Sequence, residues 1–315
     1  GHAVLQAKEG LKDKDGITII LCGDTPLISS DTIQKLIKKH KNSHNDLTIL
    51  SAKVDDPTGY GRIIRNDVDN VTCIVEESET NNSNRKINEI NTGIYCFDNK
   101  KLFKYINDVK CENEKQEYYL TDLIEIFNQN EERVSAYITN DAEEIIGVND
   151  LVSLSKATQV LHRRICNKFI ADGVNIIDPT NTYIGPNVTI GKGTIIEPGN
   201  YIMGASHIAE KSHIKIGNLI YDSSVGSGTV IGPMAHLRDG AVIGNDCRIG
   251  NYVEIKKSII GNKTKAAHLC YIGDAEVGDY VNFGCGSITV NYDGVNKHKT
   301  KIGNNVTIGP FARLR

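Results

Sequence analysis

From Ile184 onward a branched apolar residue returns at every sixth position: Ile184, Ile190, Ile196, Ile202, Ile208, Ile214 and Ile220. After a one-residue slip the series resumes with Val225, Ile231, Leu237, Ile243, Ile249 and Ile255. Neither the 3.6-residue period of a helix nor the 2-residue period of a strand produces this spacing. Three six-residue sides close one triangular coil, so the recurring residue points inward and stacks on its equivalent in the next coil. The small residue that often follows, as in Ile184-Gly185, Ile231-Gly232 and Ile249-Gly250, is expected to help turn the corner. The pattern predicts a left-handed parallel β-helix. Each buried Ile or Val contributes about 1.5–3 kcal/mol against exposure, and chain ordering offsets most of that sum.

The residues before this solenoid read differently. Ile17-Thr18-Ile19-Ile20-Leu21-Cys22 is a strand that ends in Gly23-Asp24-Thr25-Pro26, after which Ser30-Asp31 is expected to cap a helix carrying Ile33, Leu36 and Ile37. Further strands are expected at 47–54, 61–66, 71–77, 88–97 and 133–139, with helices near 100–107 and 117–128. This is an α/β, Rossmann-like sheet covered by helices, whose ligands sit beyond strand C-termini. Between the two halves, Leu151, Leu154, Ala157, Val160, Leu161, Ile165 and Phe169 recur at helical steps, and Gly173 is a stop signal. The expected organisation is a domain over 1–149, a linker helix over 150–173 and a β-helix domain over 174–315.

Composition narrows the function. Hydrophobic residues are 39% and charged residues 24% of the chain, a globular balance. No apolar run approaches the roughly 20 residues of a membrane span, and Gly1-His2-Ala3-Val4 is no signal peptide. A cytoplasmic protein without a membrane partner is expected. A net charge of -3 and a pI near 6.3 speak against a nucleic-acid partner and for small-molecule substrates. The eight cysteines form no C-x-x-C pair, and most are expected to be reduced and buried.

Breaks in a solenoid repeat are ejected from its core and commonly carry function. Two are expected, Gly261 to Tyr271 and Thr289 to Lys301. The second concentrates Lys297, Lys299 and Lys301, which with Arg238 and Lys256 could grip a phosphate through charge-assisted hydrogen bonds. A solvated basic loop is the competing reading. His268 is a candidate general base, since imidazole titrates near neutrality; Glu254, on an adjacent coil, is expected to orient it. Asn291-Tyr292-Asp293-Gly294 could by itself be only a turn.

Specific motifs add a family. Asp56-Pro57-Thr58-Gly59-Tyr60-Gly61-Arg62, Ile90-Asn91-Thr92-Gly93, Glu117-Tyr118-Tyr119-Leu120-Thr121-Asp122, Ala266-Ala267-His268-Leu269-Cys270-Tyr271-Ile272-Gly273-Asp274 and Val290-Asn291-Tyr292-Asp293-Gly294-Val295-Asn296-Lys297 span most of the chain. They resemble the bacterial bifunctional N-acetylglucosamine-1-phosphate uridylyltransferase/glucosamine-1-phosphate N-acetyltransferase family. The resemblance implies that the second domain acetylates glucosamine 1-phosphate with acetyl-CoA. His268 would be its base, and Arg238, Lys256, Tyr271 and Lys297 would hold the sugar phosphate. Asn282 and Asn291 would contact the amino sugar or the thioester end, and Cys285 and Tyr292 would line the acetyl-CoA channel.

The first domain would join UTP to N-acetylglucosamine 1-phosphate, with Asp24 and Asn149 as Mg²⁺ ligands. Gly23, Gly61, Glu76 and Asn91, with Asn149, would contact substrate, and Cys22 stands where some members carry tyrosine. The resemblance also implies a homotrimer, a Gly-rich triphosphate loop preceding Gly1 and further coils following Arg315. The polypeptide as it stands is therefore expected to lack uridylyl transfer. Pro310 replaces an expected small polar residue, and Ile308–Arg315 echoes Ile231–Arg238. Competing readings are a zinc hydration enzyme using His207, His213, His236 and His268, and a single-function sugar-1-phosphate nucleotidyltransferase whose β-helix serves only oligomerisation.

Overall fold

The computed structural model describes residues 1–110 and 118–315. Cys111, Glu117 and the start of the helix expected near 117–128 lie outside the described residues. The chain divides into two compact units, Gly1–Ala157 and Thr158–Arg315.

In the first unit, β1 (Ile17–Ile20), β2 (Leu47–Lys53), β3 (Arg62–Arg65), β4 (Val71–Val75), β5 (Glu89–Asp98) and β6 (Val134–Thr139) form one mixed sheet. Its order is β4-β3-β5-β2-β6, with β1 also on β5. Only β2 and β6 run parallel; β1 meets β5 antiparallel, Ile17 opposite Asp98. Leu47, Ile49 and Phe97 from the sheet and Leu102, Leu123 and Phe127 from two helices make the core. The helix Ser30–Asn42, after β1, is capped one residue earlier than expected. Ser29 Oγ accepts from Thr32 N at 3.1 Å, and Asp31 instead pairs with Lys35 in the first turn.

The long helix is Leu151–Ala171. Its expected apolar stripe holds only in part: Ala157, Val160, Cys166 and Phe169 are buried, whereas Leu151, Leu154 and Leu161 are exposed. Cys166 and Phe169 join Val174, Ile176 and Ile184 in one core, so the second half of the helix covers the open end of the solenoid.

The second unit is a left-handed parallel β-helix with three faces of eight, eight and seven strands. The first face runs from Asn175–Ile176 through Arg248–Asn251 and Lys265–His268 to Thr307–Ile308. A second face includes His236–Arg238, Glu254–Lys256 and Tyr271–Gly273, and the third includes Ile259–Ile260, Ala275–Val277 and Thr300–Ile302. Ile196, Ile202, Ile208, Ile214, Ile220, Ile231, Leu237, Ile249 and Ile255 are all fully buried; only Ile190 of the series is partly so. The slip after Ile220 is a shortened corner between second and third faces, repeated between Ile255 and Ile260 and between Ile272 and Val277.

Two expectations about the repeat are corrected. Gly261 to Tyr271 is no insertion: Lys265 pairs with Arg248 below and Asn282 above. The period was hidden because buried Ala266 replaces a branched residue directly after a shortened corner. The true excursion is 290–299, between Ile288–Thr289 and Thr300–Ile302. The small residue after the inward one also has another role. Corners turn on residues with positive φ further along, such as Asp246 (55°), Lys263 (56°) and Tyr280 (59°). Glycines directly after the inward residue allow coils to approach, since a Cβ on Gly244 would lie 2.8 Å from the nitrogen of Asn262.

Side chains close the backbone accounts at these corners. Asn245 Oδ1 accepts from Ser227 N at 2.8 Å, Asn262 Oδ1 from Asn245 N at 2.8 Å and Asp279 Oδ1 from Asn262 N at 2.6 Å. Inside, Thr194, Ser212, Thr229 and Thr264 donate to carbonyls of the next coil at 2.8–3.0 Å. Buried polar groups of this kind stabilise only because they are paired.

Ile249→Ala should cost about 2–5 kcal/mol in urea unfolding, whereas Val242→Ala, outward and exposed, should cost under about 1 kcal/mol. Equal losses would contradict the assigned faces. In the first unit, the Asp122 carboxyl is pushed up to about 6 by burial and by Glu125, Glu79 and Glu76. The folded state therefore holds this proton more tightly than the unfolded state, whose value is near 3.8, and stability falls as pH rises between the two. Asp122→Asn should raise the melting temperature at pH 7.5, with the gain vanishing below pH 4; a pH-independent gain would refute the assignment.

Candidate functional site

A cavity of ≈ 510 Å³ in the first unit gathers Asp24, Gly61, Glu76, Asn91 and Asn149 from five separate segments. Gly23 directly precedes Asp24 but does not line it. The cavity opens beyond the C-terminal end of β1, a half-buried strand that leaves Cys22 and Asp24 at the cavity's rim. Val148 N donates to the Asp24 carbonyl at 2.7 Å, which ties the Asp24 loop to the Asn149 segment. Asn91 is fixed on three sides: its N–H donates to Gly61 O at 2.8 Å, its Nδ2 to Tyr95 Oη at 2.9 Å, and its Oδ1 accepts from Gly93 N at 3.1 Å. Burial pushes the Tyr95 hydroxyl well above its ordinary range, so it stays protonated. Glu76 Oε1 accepts from Thr121 Oγ1 at 3.1 Å, which is how the Thr121-Asp122 motif reaches the cavity.

Sequence reasoning missed Thr25, Thr58, Tyr60, Thr92 and Gly147, which also line this space. Thr58 and Tyr60 stand in a motif already singled out. Arg62, 1% exposed, bonds the Tyr60 carbonyl and pairs with Glu77 at 2.7 Å, so that motif's arginine holds the cavity loop from behind. Cys22 donates its thiol to Gly93 O at 3.3 Å, and burial pushes that thiol up. Asp24 and Asn149 offer one carboxylate and one amide oxygen on the same cavity. That hard, incomplete donor set suits Mg²⁺, which keeps water and phosphate oxygens in its shell. Among the described residues no cluster of three or more His, Cys, Asp or Glu could enclose a metal.

On the β-helix the expected acetyl-transfer residues fall along separate margins of the coil. At the corner between first and second faces, His268 stands opposite Asn251 in the ladder, and Asn251 Oδ1 meets His268 Nδ1 at 2.7 Å. With the amide oxygen accepting, Nδ1 carries the proton and Nε2 presents its lone pair. The expected orienting role of Glu254 is thus wrong. Glu254 faces Tyr271 on the second face and binds Arg238, at 2.8 Å to Nε and 2.7 Å to Nη2. Register, which sets Asn251 and not Glu254 beside the imidazole, explains the difference. Cys285 lies one coil beyond His268, where the His268 carbonyl accepts from Gly286 N.

Arg238 and Lys256 are neighbours in register on the second face, with Asp239 2.9 Å from Arg238 and 4.0 Å from Lys256. Burial opposes the guanidinium charge, but Glu254, Asp239 and Tyr271 outweigh it and raise the group further. Tyr271 lies along this face over Gly273, its hydroxyl 3.3 Å from Asn291 Nδ2. Lys297 and Lys299 of the excursion line a second cavity, ≈ 340 Å³, with Lys257, Asp274 and Glu276. Of the expected lysine trio, Lys299 and Lys301 are both engaged by Glu276. Exposed Tyr292 stands in the excursion, and Asn282 stands on the first face opposite Lys265, away from His268. Within one chain these residues therefore stand apart rather than around one pocket. For the zinc reading, His207, His213 and His236 stand on three different faces of the coil, so one chain does not bring them together.

A nucleotidyl transferase family model matches residues 1–159, and one described as a GMPPB C-terminal domain matches residues 165–264. "Bifunctional protein GlmU" of Geobacillus sp. (strain WCH70) is 50% identical over 329 aligned positions, covering 99% of this chain and 72% of that protein. The proteins of the same name from Halalkalibacterium halodurans and Streptococcus uberis are each 47% identical, covering 100% of this chain and 72% of their own length. With a nucleotidyl transferase sheet, a β-helix and this similarity along its whole length, the chain is a transferase and belongs to the bifunctional GlmU family.

Proposed function

We propose that this chain belongs to an enzyme that makes UDP-N-acetylglucosamine in two successive transfers: acetylation of glucosamine 1-phosphate by acetyl-CoA, then uridylylation of the product by UTP. The observation that carries the first half is the imidazole of His268, held through Nδ1 by Asn251 with Nε2 free. An ammonium group cannot attack a thioester. Nε2 takes a proton from the sugar's nitrogen, and the freed amine attacks the acetyl carbonyl. The C–S bond then breaks, the departing CoA thiolate takes the proton from the imidazolium, and the acylated nitrogen gives its remaining extra proton to solvent to leave the neutral amide. Arg238, Lys256 and Lys297 hold the sugar phosphate with Tyr271, while Asn282 and Asn291 meet the amino sugar and Cys285 and Tyr292 flank the acetyl-CoA. Positioning of this kind supplies much of the rate.

These groups occupy several margins of one coil, so we propose a homotrimer in which adjoining copies complete each site. An exposed apolar ridge of Met234, Tyr252, Leu269 and Phe311 offers a packing surface. In the first unit, Gly23, Gly61, Glu76 and Asn91 hold the uridine and sugar, and the sugar phosphate's oxygen attacks the α-phosphorus of UTP, releasing pyrophosphate. Asp24 and Asn149 would hold Mg²⁺, which when bound neutralises charge on the phosphates. No helix among the described residues is long and apolar enough to cross a membrane, and we place the reaction in the cytoplasm.

His268→Ala should lower glucosamine-1-phosphate-dependent release of CoA thiol by roughly 10²- to 10⁴-fold. The melting temperature should not move, because the side chain is exposed. Unchanged turnover would remove His268 from the mechanism. For the first unit, Asp24→Asn should weaken Mg²⁺-dependent binding of UDP-N-acetylglucosamine by about tenfold in calorimetry, as expected for losing a charged ligand. Equal affinity with and without the carboxylate would contradict its role.

A further inference from the structure

Asn291 is the second residue of the excursion and is 8% exposed, unlike the eight residues that follow it. Its Nδ2 lies 2.6 Å from Asp274 Oδ2 and 3.3 Å from Tyr271 Oη. The direction of this chain of contacts is set at one end. A carboxylate only accepts, so the Asn291 amide must turn its NH₂ toward Asp274, and its second N–H then meets the tyrosine oxygen. Two consequences follow. Asn291 Oδ1 is left as an acceptor, and Tyr271, already accepting, has its own proton to give to an incoming acceptor.

The cluster is held from below and behind. A Cβ on Gly273 would run into the Tyr271 hydroxyl and lie 2.9 Å from Asn291 Nδ2, so the position needs glycine. The Asp274 carbonyl accepts from Thr300 N at 3.1 Å, and the Asn291 carbonyl accepts from His298 N at 2.7 Å, which ties the two ends of the excursion together. Asp274 itself sits at φ 47°, a corner conformation tolerated by Asp, Asn and Gly.

Resting on the acetyl-transfer reading, we propose that Asp274 is a positioning residue for that reaction: it fixes the amide of Asn291 so that Oδ1 accepts from the amino sugar while Tyr271 donates to it. Asp274 does not touch substrate. It removes the alternative amide orientation, in which an N–H would face the sugar's nitrogen and repel it.

The test uses the full chain and three substitutions. Asp274→Gly keeps the corner conformation but removes the carboxylate, and should raise KM for glucosamine 1-phosphate about tenfold with KM for acetyl-CoA unchanged, the effect of losing one charge-assisted hydrogen bond. Asp274→Asn can still present an acceptor to Nδ2 and should stay within about threefold of the unsubstituted chain. In an Asn291→Ala background, Asp274→Gly should change kcat/KM less than about twofold, because its only route of action is gone. An undiminished loss in that background, or a failure of Asp274→Asn to rescue, would overturn the proposal. The side-chain amide of Asn291 gives a readout independent of turnover. Its NMR signal should be shifted and protected from exchange in the unsubstituted chain and lose both features in Asp274→Gly; an unprotected amide in the unsubstituted chain would equally overturn it. Absence of glucosamine-1-phosphate-dependent CoA release by the unsubstituted chain would count against the acetyl-transfer reading alone.

Discussion

Stacking of one inward side chain on its equivalent in the next coil governs the second unit. Because Ile196, Ile214, Ile231 and Ile249 sit fully buried in consecutive paired strands of one face, a shift by one residue would expose the whole column. The outward positions inherit that register. Arg238 is beside Lys256, Glu254 beside Tyr271 and Asn251 beside His268 for the same reason that isoleucine stacks on isoleucine inside. The corner ladders of Asn245, Asn262 and Asp279 secure the spacing that such pairing needs.

A common device recurs at both sites. Asn91 in the first unit and Asn251 and Asn291 in the second each spend amide atoms on protein partners, Tyr95 and Gly93, His268, and Asp274 respectively. An amide free to rotate offers a donor or an acceptor with equal ease. One engaged at a known atom offers a single hydrogen-bonding pattern to the ligand, and reorganisation at the moment of reaction is avoided. The cations obey a similar rule: Arg238 is already embraced by Glu254 and Asp239, so a phosphate that reaches it exchanges one anionic partner for another.

Much of the fold was legible in the residues. Strands β2 to β6 fall within two residues of the expected ranges, and the inward column was readable up to Ile255, since branched residues at fixed spacing leave no other arrangement. The reading failed where chemistry replaced hydrophobicity. Ala266 is buried like an isoleucine but carries no periodic signal, so a regular coil passed for an insertion. Leu151 and Leu154 look like core residues and are exposed, because a pattern records which residues can be buried and not what is there to bury them. For the sites, the motifs located the cavity around Asp24 and Asn149, but the partner of His268 was misassigned. Asn251 and His268 are seventeen residues apart, and only the pairing of coils of unequal length brings them together.

We propose that the outward pairs on these coils form a single amine-acylating centre, completed by adjoining copies. A crystal structure of the protein with glucosamine 1-phosphate bound tests this directly. The phosphate should contact Arg238 and Lys256, and the nitrogen should lie within hydrogen-bond reach of a His268 Nε2. A sugar phosphate seated elsewhere, with the imidazole left in solvent, would contradict the account.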